Sequence, residues 1–439
     1  MEISMKILLI NEVYGVLSTG RTVKEIREYL TKQGHTCLVA YACGKAGDRK
    51  KNRKSGGKEG YFVIGSMAGR KLHALCSRIF GLQGYFSRRA TRELIHYIDL
   101  QKPDLVHLGN VHGNYLYLNL LLKALARRKL PVVIVLHDCW FFTGRCTHYT
   151  VNACGQWRDG CRRCPNSRNT PPSWFFDRCN KMWKDKKKHF TKLDRLAVVG
   201  VSQWIADQAG ASFLKNSFLI KRIYNGIDLE VFKPLETGEL QKELGIENKF
   251  VILSVASIWS NSKGLKGFLK LALQLKKEEE RKRTKDLQES NSVQERNCMQ
   301  ERDCIILLVG NMNADIDFPD NVRILPPTDT SSLAKLYNAA DVYVSLSREE
   351  SFGKTVAEAL ACGTPAIAFS STALPELLGE GCGHLVEDKS LKGILRGIYQ
   401  VKGNGKEYYS GRCVSYAKKH FDRELCGKEY LSTYKQLLS

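Results

Sequence analysis

Residues 342–369 read VYVSLSREESFGKTVAEALACGTPAIAF. The apolar run Val342–Leu346 predicts a buried strand, and a polar loop that contains Gly353 follows it. We expect a helix to begin near Lys354 or Thr355, and Ala366–Phe369 predicts the next strand. Strand, helix and strand in this order are typical of a parallel sheet with crossover helices. The stretch therefore predicts an α/β fold.

The same alternation extends along both halves of the chain. Other short apolar runs, each followed by a polar or glycine-containing loop, predict further strands at 7–10, 37–41, 105–108, 132–136, 197–201, 250–255, 305–309 and 322–325. Between the two sets lies Asn225-Gly226, with Pro234 shortly after it, and these residue types favour turns and linkers. We therefore predict two Rossmann-like parallel-sheet domains with a boundary near residue 226.

The domain limits follow from this boundary and from the chain ends. We expect an N-terminal domain over 1–225, a second domain over 226–415, and a C-terminal helix over 416–439, where aromatic and apolar residues recur at near-helical spacing. Residues 276–303 are almost wholly charged or polar, which predicts an inserted or overlong helical hairpin in the second domain.

The charge of the chain is concentrated in its first half. Of the 439 residues, 68 are Lys or Arg and 45 are Asp or Glu, which gives a net charge of +23. Residues 1–225 carry +24 and the remainder carries −1. Such a surface attracts nucleic acid, anionic lipid or phosphorylated substrates, and a solvated basic face is the plain alternative. The basic clusters are Arg49 to Lys58, Arg88 to Arg92, and Lys181, Lys184, Lys186, Lys187 and Lys188.

Aromatic residues near the last two clusters, such as Trp174, Phe175 and Phe176, suit a membrane interface as well as base stacking. The longest purely aliphatic runs have five residues, far below the roughly 20 that a bilayer span needs, and the first residues lack a secretory cleavage pattern. We therefore expect a cytoplasmic protein.

Candidate ligand-binding residues follow the strand that ends at Leu346. In open α/β sheets, ligands bind beyond the carboxyl ends of the strands. Gly353 allows close backbone approach, and the helix that begins at Lys354 or Thr355 offers free N–H groups to a diphosphate. Glu350 in the loop and Glu358, expected in the first helical turn, are carboxylates suited to sugar hydroxyls. A favourable interaction of Glu358 with the helix dipole is the structural alternative.

The run from Glu350 to Pro365 resembles the signature of retaining glycosyltransferases of family 4, in which two glutamates stand eight positions apart. Further stretches are similar to that family: Ser202-Gln203-Trp204, Asn225-Gly226-Ile227-Asp228 and Pro375-Glu376. The resemblance implies the GT-B fold, two Rossmann-like domains with an interdomain cleft. It also implies that Glu358 holds the nucleotide ribose and that Glu350 contacts the donor sugar and supports transfer.

Lys263-Gly264 matches a second phosphate-binding loop of the family, after the first strand of the second domain. Ser262 stands where a related subgroup has an arginine, and Arg348 or Lys354 is a candidate substitute. In the first domain, Gly20 and Arg21 follow the first strand and resemble the family's first donor-binding loop. His137 resembles the family's strand-end histidine that faces the donor sugar and acceptor.

The fifteen cysteines favour thiols or metal ligands over disulfides in a chain of this length. Four of them lie in the loop 139–165, namely Cys146, Cys154, Cys161 and Cys164, and the Cys-x-x-Cys pair suits one tetrahedral ion. The loop resembles one in a capsule- and exopolysaccharide-making subgroup of the family, of the colanic-acid type. Structural zinc is one interpretation, and free buried thiols are the other.

The resemblance implies a retaining transferase that uses a UDP- or GDP-sugar and a hydroxyl of a saccharide, in cell-surface polysaccharide synthesis. The basic first domain and its flanking aromatic residues would bring the enzyme to the inner membrane face, where we expect a lipid-linked saccharide as the acceptor. The resemblance implies no cofactor for catalysis and no nucleic acid. The possible zinc would order the cysteine-rich loop and take no part in the chemistry. Two alternatives remain. A nucleotide-sugar epimerase of the same fold would lack an acceptor loop such as 139–165, and a basic nucleic-acid-binding regulator would explain the charge but not the motifs.

Overall fold

A computed structural model describes residues 4–44, 60–168, 171–289, 302–312 and 316–439, with the backbone alone for 285–289. The basic cluster at 49–58 and part of the charged stretch 276–303 lie outside these residues. The chain forms two compact units. Unit 1 comprises Met1–Gly226 and Arg423–Ser439, and unit 2 comprises Ile227–Asp422.

Unit 1 is built on a parallel sheet whose described strands lie in the order β3-β2-β1-β4-β5-β6-β7. These strands are β1 Lys6–Tyr14, β2 Thr36–Gly44, β3 Tyr61–Val63, β4 Leu105–Leu108, β5 Val132–Leu136, β6 Leu196–Gly200 and β7 Leu219–Arg222. Every pairing between them is parallel. The central strands are buried along most of their length, as expected for a sheet covered by helices on both faces.

The helices of unit 1 connect these strands. They are α1 Leu17–Lys32, α2 Met67–Phe80, α3 Arg88–Gln101, α4 Leu118–Arg127, α5 Cys179–Phe190, α6 Gln203–Gly210 and, at the end of the chain, α13 Arg423–Leu438. Short 3₁₀ turns at Cys139–Phe141, Thr150–Asn152 and Gln156–Arg158 form the connection between β5 and α5. The cysteine-rich loop thus lies directly after the central strand β5.

Unit 2 repeats the architecture with a parallel sheet in the order β10-β9-β8-β11-β12-β13. Its strands are β8 Lys249–Trp259, β9 Asp303–Met312, β10 Val322–Leu325, β11 Val342–Ser345, β12 Ala366–Phe369 and β13 Gly383–Val386. Its helices are α7 Gly238–Glu243, α8 Leu265–Glu289, α9 Thr330–Ala339, α10 Lys354–Ala361, α11 Leu391–Asn404 and α12 Glu407–Phe421.

The two sheets confirm the prediction of two Rossmann-like units. In each sheet the strand order reverses beside the first strand, between β1 and β4 in unit 1 and between β8 and β11 in unit 2. Ligands of doubly wound folds bind outside the carboxyl ends of the strands at this reversal. The loops after β8 and β11 therefore lie where a ligand of unit 2 is expected.

Three strands were missing from the sequence expectation, and all three are edge strands. Tyr61–Val63, Leu219–Arg222 and Gly383–Val386 have three or four residues each and are mostly half-buried. An edge strand is covered less than a central one, so its apolar run is short, as in Tyr61–Val63, or gives way to charged residues, as in Leu219–Arg222. The rule that detected the buried strands could not detect these.

The expectation of one terminal helix over 416–439 is wrong. Two helices, α12 and α13, meet at Asp422, whose backbone is extended with φ −58° and ψ 131°. The Phe421 carbonyl accepts a hydrogen bond from the Ile227 N–H at 2.6 Å instead of continuing the helix. The chain returns to unit 1 after this break, where the Tyr434 hydroxyl lies 2.6 Å from His107 Nδ1.

The charged stretch that begins at 276 differs in part from the predicted hairpin. Its first residues continue α8, whose earlier turns bury Leu271 and Leu275. Ion pairs between Lys276 and Asp320 and between Arg283 and Asp303 hold this extension beside the sheet. Of the helices in the described residues, none combines the length and apolar character that crossing a bilayer requires.

Candidate functional site

The loop after β8 brings Lys263 to the end of β11. Gly264 adopts a left-handed φ of 82°, and a Cβ atom there would lie 2.4 Å from the Leu346 Cβ. Only glycine fits this contact without displacement of the Leu346 backbone. The close approach places Lys263, on the preceding 3₁₀ turn, next to the loop that follows β11.

Lys263 and Glu350 form the central ion pair of this site. The Lys263 Nζ lies 2.5 Å from Glu350 Oε1, and the two side chains are 37% and 18% exposed. The Arg348 N–H also donates to the Ser262 carbonyl at 3.2 Å, which joins the two loops through their backbones. The structure therefore brings together the predicted phosphate-binding lysine and the predicted catalytic glutamate.

Thr372 fixes the backbone of Glu350, a role that the sequence did not reveal. Its Oγ1 accepts a hydrogen bond from the Glu350 N–H at 2.8 Å and donates to the Glu350 carbonyl at 2.7 Å. Thr372 has a φ of 50°, which is unusual for a β-branched residue and costs conformational energy. Strain of this kind persists where surrounding contacts determine the geometry. Here the two hydrogen bonds of Thr372 hold the Glu350 backbone in place.

Helix α10 begins directly after this loop and presents its N-terminus at the same edge of the sheet. Gly353 is the N-cap with a left-handed φ of 98°, and Lys354 and Thr355 are the first helical residues, as predicted. Thr355 Oγ1 accepts a hydrogen bond from the Tyr343 hydroxyl at 2.8 Å. The free N–H groups and the positive end of the helix dipole suit an anion such as a diphosphate.

Glu358 lies deeper than the sequence indicated. Because α10 begins at Lys354, Glu358 is its fifth residue and lies in the second turn, not in the first. It is only 3% exposed, and its Oε2 accepts a hydrogen bond from the Tyr337 hydroxyl at 3.1 Å. Burial and the Glu358 charge both raise the pKa of Tyr337, so the phenol stays a hydrogen-bond donor.

In unit 1, the structure places Gly20 and Arg21 within α1 and not in a phosphate-binding loop. The turn after β1 is made by Gly15, with a φ of 67°, and the helix begins at Leu17. A Cβ atom at Gly20 would lie 3.1 Å from the Val13 backbone, so this glycine lets α1 pack closely on β1. The expected phosphate-binding loop at Gly20 is therefore wrong: this glycine serves the packing of α1 against β1.

The carboxyl ends of β4 and β5 carry a histidine-rich cluster. His137 follows β5 as expected and is half-buried. Burial, with a contribution from His137, lowers the pKa of the neighbouring His107 to about 3. His112 was not anticipated: its Nε2 lies 2.7 Å from Asp138 Oδ2. Burial lowers the pKa of His112, but the attraction of the Asp138 carboxylate is stronger than this effect, so the pKa of His112 is raised.

The cysteine-rich loop is held by a buried lysine. Lys186 donates to the carbonyl oxygens of Trp140 at 2.5 Å and Thr143 at 3.0 Å, and its ammonium lies 3.4 Å from the centre of the Trp140 ring. The residue is 3% exposed. Its assignment to the basic surface cluster is therefore wrong, whereas Lys184, Lys187 and Lys188 are exposed.

Two of the four predicted metal ligands lie in contact. Cys146 Sγ and Cys164 Sγ are 3.6 Å apart, too far for a disulfide bond of about 2.05 Å. Cys161 Sγ instead accepts a hydrogen bond from the Gly144 N–H at 3.1 Å, and Cys154 is half-buried. Within the described part of the chain, no three His, Cys, Asp or Glu side chains are grouped so as to hold a metal ion.

Known protein families match both units. Residues 19–231 match the family described as Glycosyltransferase Family 4, and residues 236–420 match Glycosyl transferases group 1. The chain is built from two glycosyltransferase domains. The limits of these glycosyltransferase domains lie close to the Gly226/Ile227 division between the two units.

Curated relatives of these glycosyltransferase domains align over only part of their length. The D-inositol 3-phosphate glycosyltransferase of Actinosynnema mirum is 27% identical over 189 residues, which are 42% of this chain and 44% of that protein. The putative colanic acid biosynthesis glycosyl transferase WcaC of Escherichia coli is 29% identical over 134 residues, 29% of this chain and 32% of that protein. The chain thus matches less than half of either relative.

Solved structures share the fold over nearly the whole chain. The Anabaena protein HepE, solved in complex with UDP, superposes with a TM-score of 0.63 at 15% identity and covers 98% of this chain and 100% of its own. A glycosyltransferase from Rickettsia africae has a TM-score of 0.63 at 16% identity, with full coverage of both chains. At this identity, the likeness concerns the fold alone.

Proposed function

We propose that the chain transfers a sugar from a UDP- or GDP-sugar to a hydroxyl group of a saccharide acceptor, with retention of the anomeric configuration, in the synthesis of a cell-surface polysaccharide. The observation that carries this proposal is the Lys263–Glu350 ion pair beside the N-terminus of α10. A cation, a carboxylate and free backbone N–H groups lie together at the strand ends where a nucleotide is expected.

The chemistry of the proposed reaction needs a stabilised leaving diphosphate. Lys263 and the N–H groups at Lys354 and Thr355 would bind its oxygens, because fixed donors stabilise charge that develops as a bond breaks. Glu350 would contact the donor sugar, where the Thr372 hydrogen bonds hold its backbone. With the negative charge held by these donors, the transfer requires no catalytic metal.

Glu358 in unit 2 and His137 in unit 1 are two further candidate residues, each described within its own unit. Glu358 is our candidate for the ribose contact, and its burial against Tyr337 means that the ribose must reach it through a narrow opening or that Tyr337 must shift. His137 follows β5 of unit 1 and is our candidate for a contact to the donor sugar or acceptor. Both roles are those that the family resemblance implies, Glu358 through the signature and His137 through its place after a strand.

We also propose that the acceptor is lipid-linked and that unit 1 binds an anionic membrane from the cytoplasmic side. Support comes from large apolar side chains that α2 and the segment before α5 expose, which are Leu72, Leu75, Phe80, Trp174, Phe175 and Phe176. The two segments are joined by a hydrogen bond from the Trp174 N–H to the Arg78 carbonyl at 2.7 Å. Apolar side chains beside exposed lysines are typical of membrane-surface proteins.

Structural zinc at Cys146, Cys154, Cys161 and Cys164 remains our proposal for the cysteine-rich loop. It predicts close to one zinc per chain in protein purified without added metal, and loss of that zinc in Cys161→Ser and in Cys164→Ser. Cys304→Ser, which alters a buried thiol in β9, is the control and should keep the metal. Elemental analysis measures the zinc, and thermal unfolding measures the stability. A wild-type chain that contains no zinc and is nevertheless thermally stable would contradict the proposal.

Product analysis with a panel of UDP- and GDP-sugars tests the function, with and without a polyprenyl-diphosphate-linked saccharide. We expect nucleoside diphosphate release that depends on one donor and a lengthened saccharide. Glu350→Gln should abolish transfer, and Glu380→Gln, the same change at an exposed position of unit 2, should not. An epimer of the donor sugar, without a lengthened acceptor, would replace this proposal with the epimerase.

A further inference from the structure

A cavity in unit 1 has two arginines in its wall. It has a volume of about 210 Å³ and is lined by Ser77, Arg78, Gln83, Asn114, Arg145 and Pro171, among others. This volume corresponds to about seven water molecules of the liquid. It is smaller than the roughly 300 Å³ at which sites for drug-sized ligands begin. A phosphate or diphosphate group would fit the space.

Arg145 is the unusual residue of this cavity. Its side chain is 3% exposed, and Nη2 donates to the Pro171 carbonyl. Its Nε and Nη1 have no hydrogen-bond partner among the described residues. A buried charge without a partner is costly, and proteins normally pair it with a carboxylate or another anion.

The described residues supply no such anion. No carboxylate among them lies within ion-pairing distance of Arg145 or Arg78. Asp177 is near enough for the Arg145 charge to contribute to its lowered pKa, but its two oxygens accept the N–H groups of Cys164 at 2.7 Å and Cys179 at 3.0 Å. The guanidinium of Arg145 therefore has hydrogen-bonding capacity for a ligand anion.

The surroundings of the cavity indicate where this anion comes from. Arg78 lies on α2, the helix that exposes Leu72 and Leu75, and its carbonyl accepts the Trp174 N–H. The cavity is therefore next to the exposed apolar surface formed by α2 and residues 174–176. A ligand with a phosphate group and a hydrocarbon tail matches both features.

We propose that the Arg78–Arg145 cavity binds the phosphate-bearing headgroup of the lipid-linked acceptor. The inference rests on the proposed function, since it names the acceptor's recognition site. The headgroup anion neutralises Arg145, and the hydrocarbon chain lies on the apolar surface beside the cavity. Free phosphate compounds share the headgroup chemistry, so the test must separate the two sources.

Isothermal titration of the full chain with farnesyl diphosphate, farnesol, inorganic pyrophosphate and inorganic phosphate provides that test. We expect farnesyl diphosphate to bind most tightly. Arg145→Gln and Arg78→Gln should each weaken it about 10- to 100-fold, as the loss of charged hydrogen bonds implies. Arg127→Gln removes an equal charge from an exposed side chain at the end of α4 and should bind as the wild type does.

Wild-type binding of farnesyl diphosphate by both cavity variants would overturn the proposal. Pyrophosphate that binds as tightly as farnesyl diphosphate, and that is weakened by the same variants, would overturn the lipid assignment. Arg78 is exposed, so its variant keeps the test valid if Arg145→Gln misfolds. Donor-dependent nucleoside diphosphate release is measured in parallel, because its absence in the wild type would instead contradict the proposed function.

Discussion

Replacement of Lys263 by methionine separates a catalytic role from a structural one. Methionine keeps the apolar stem and removes the cation that lies 2.5 Å from Glu350. Because both side chains are partly exposed, at 37% and 18%, the ion pair contributes at most about 1 kcal/mol to the free energy of unfolding. A fixed donor to a developing negative charge is worth far more, and loss of one typically lowers turnover by about 10²–10³.

We therefore expect Lys263→Met to lower kcat by about 10²–10³ while its unfolding free energy changes by about 1 kcal/mol or less. Lys249→Met is the matched control. Lys249 is 40% exposed and pairs with Asp303 at 3.1 Å, at the opposite end of β8. Steady-state kinetics and urea denaturation of both variants decide the question. Equal, small losses of turnover in the two variants would refute the role of Lys263 as a diphosphate ligand.

Three further changes have defined outcomes. Gly264→Ala should cost roughly 1–3 kcal/mol more in urea denaturation than Gly245→Ala: both glycines have positive φ, but only Gly264 would clash with Leu346. His107 has its pKa lowered to about 3 by burial, so the folded state binds fewer protons than the unfolded state below pH 6.5. From pH 7 to 5 the wild type should lose about 2 kcal/mol more stability than His107→Gln. If His107→Gln keeps the pH dependence of the wild type, His107 is not buried in its neutral form. His96→Gln, at an exposed position, is the control. Co-sedimentation with vesicles should rise with the fraction of anionic lipid and fall with salt. It should weaken when glutamine replaces the exposed Lys184, Lys187 and Lys188. Binding that does not depend on anionic lipid would contradict the membrane proposal.

The central strands and the site loops were accessible from the sequence because their signals are local. A continuous apolar run such as Val132–Leu136 specifies a buried strand, and the loop after such a strand faces the ligand edge. Lys263, Glu350, Gly353, Lys354 and Thr355 were placed in this way, and the first two meet in the structure. The family resemblance assigned both residues to the donor site, but the ion pair between them was not predicted.

Partners that depend on distant segments were not accessible. Thr372 is 22 residues from Glu350, and an isolated threonine carries no signal of a left-handed backbone. Lys186 was assigned to the surface because it lies in a run of lysines, but it is the one that α5 directs inward to the carbonyl groups of the cysteine-rich loop. The spacing on α5 could have suggested this, since Met182 and Trp183, four and three residues before it, are buried too.

The position of the nucleotide-sugar site is the central claim, and hydrogen-exchange mass spectrometry with the donor that supports turnover tests it most directly. Binding should slow exchange of backbone N–H groups in unit 2 at residues 260–264 and 347–356, and Lys263→Met should reduce this protection. The edge strand β10 of the same unit, on the far side of β9, should exchange as it does without ligand. Protection confined to unit 1, or unchanged exchange in both loops at saturating donor, would contradict the account.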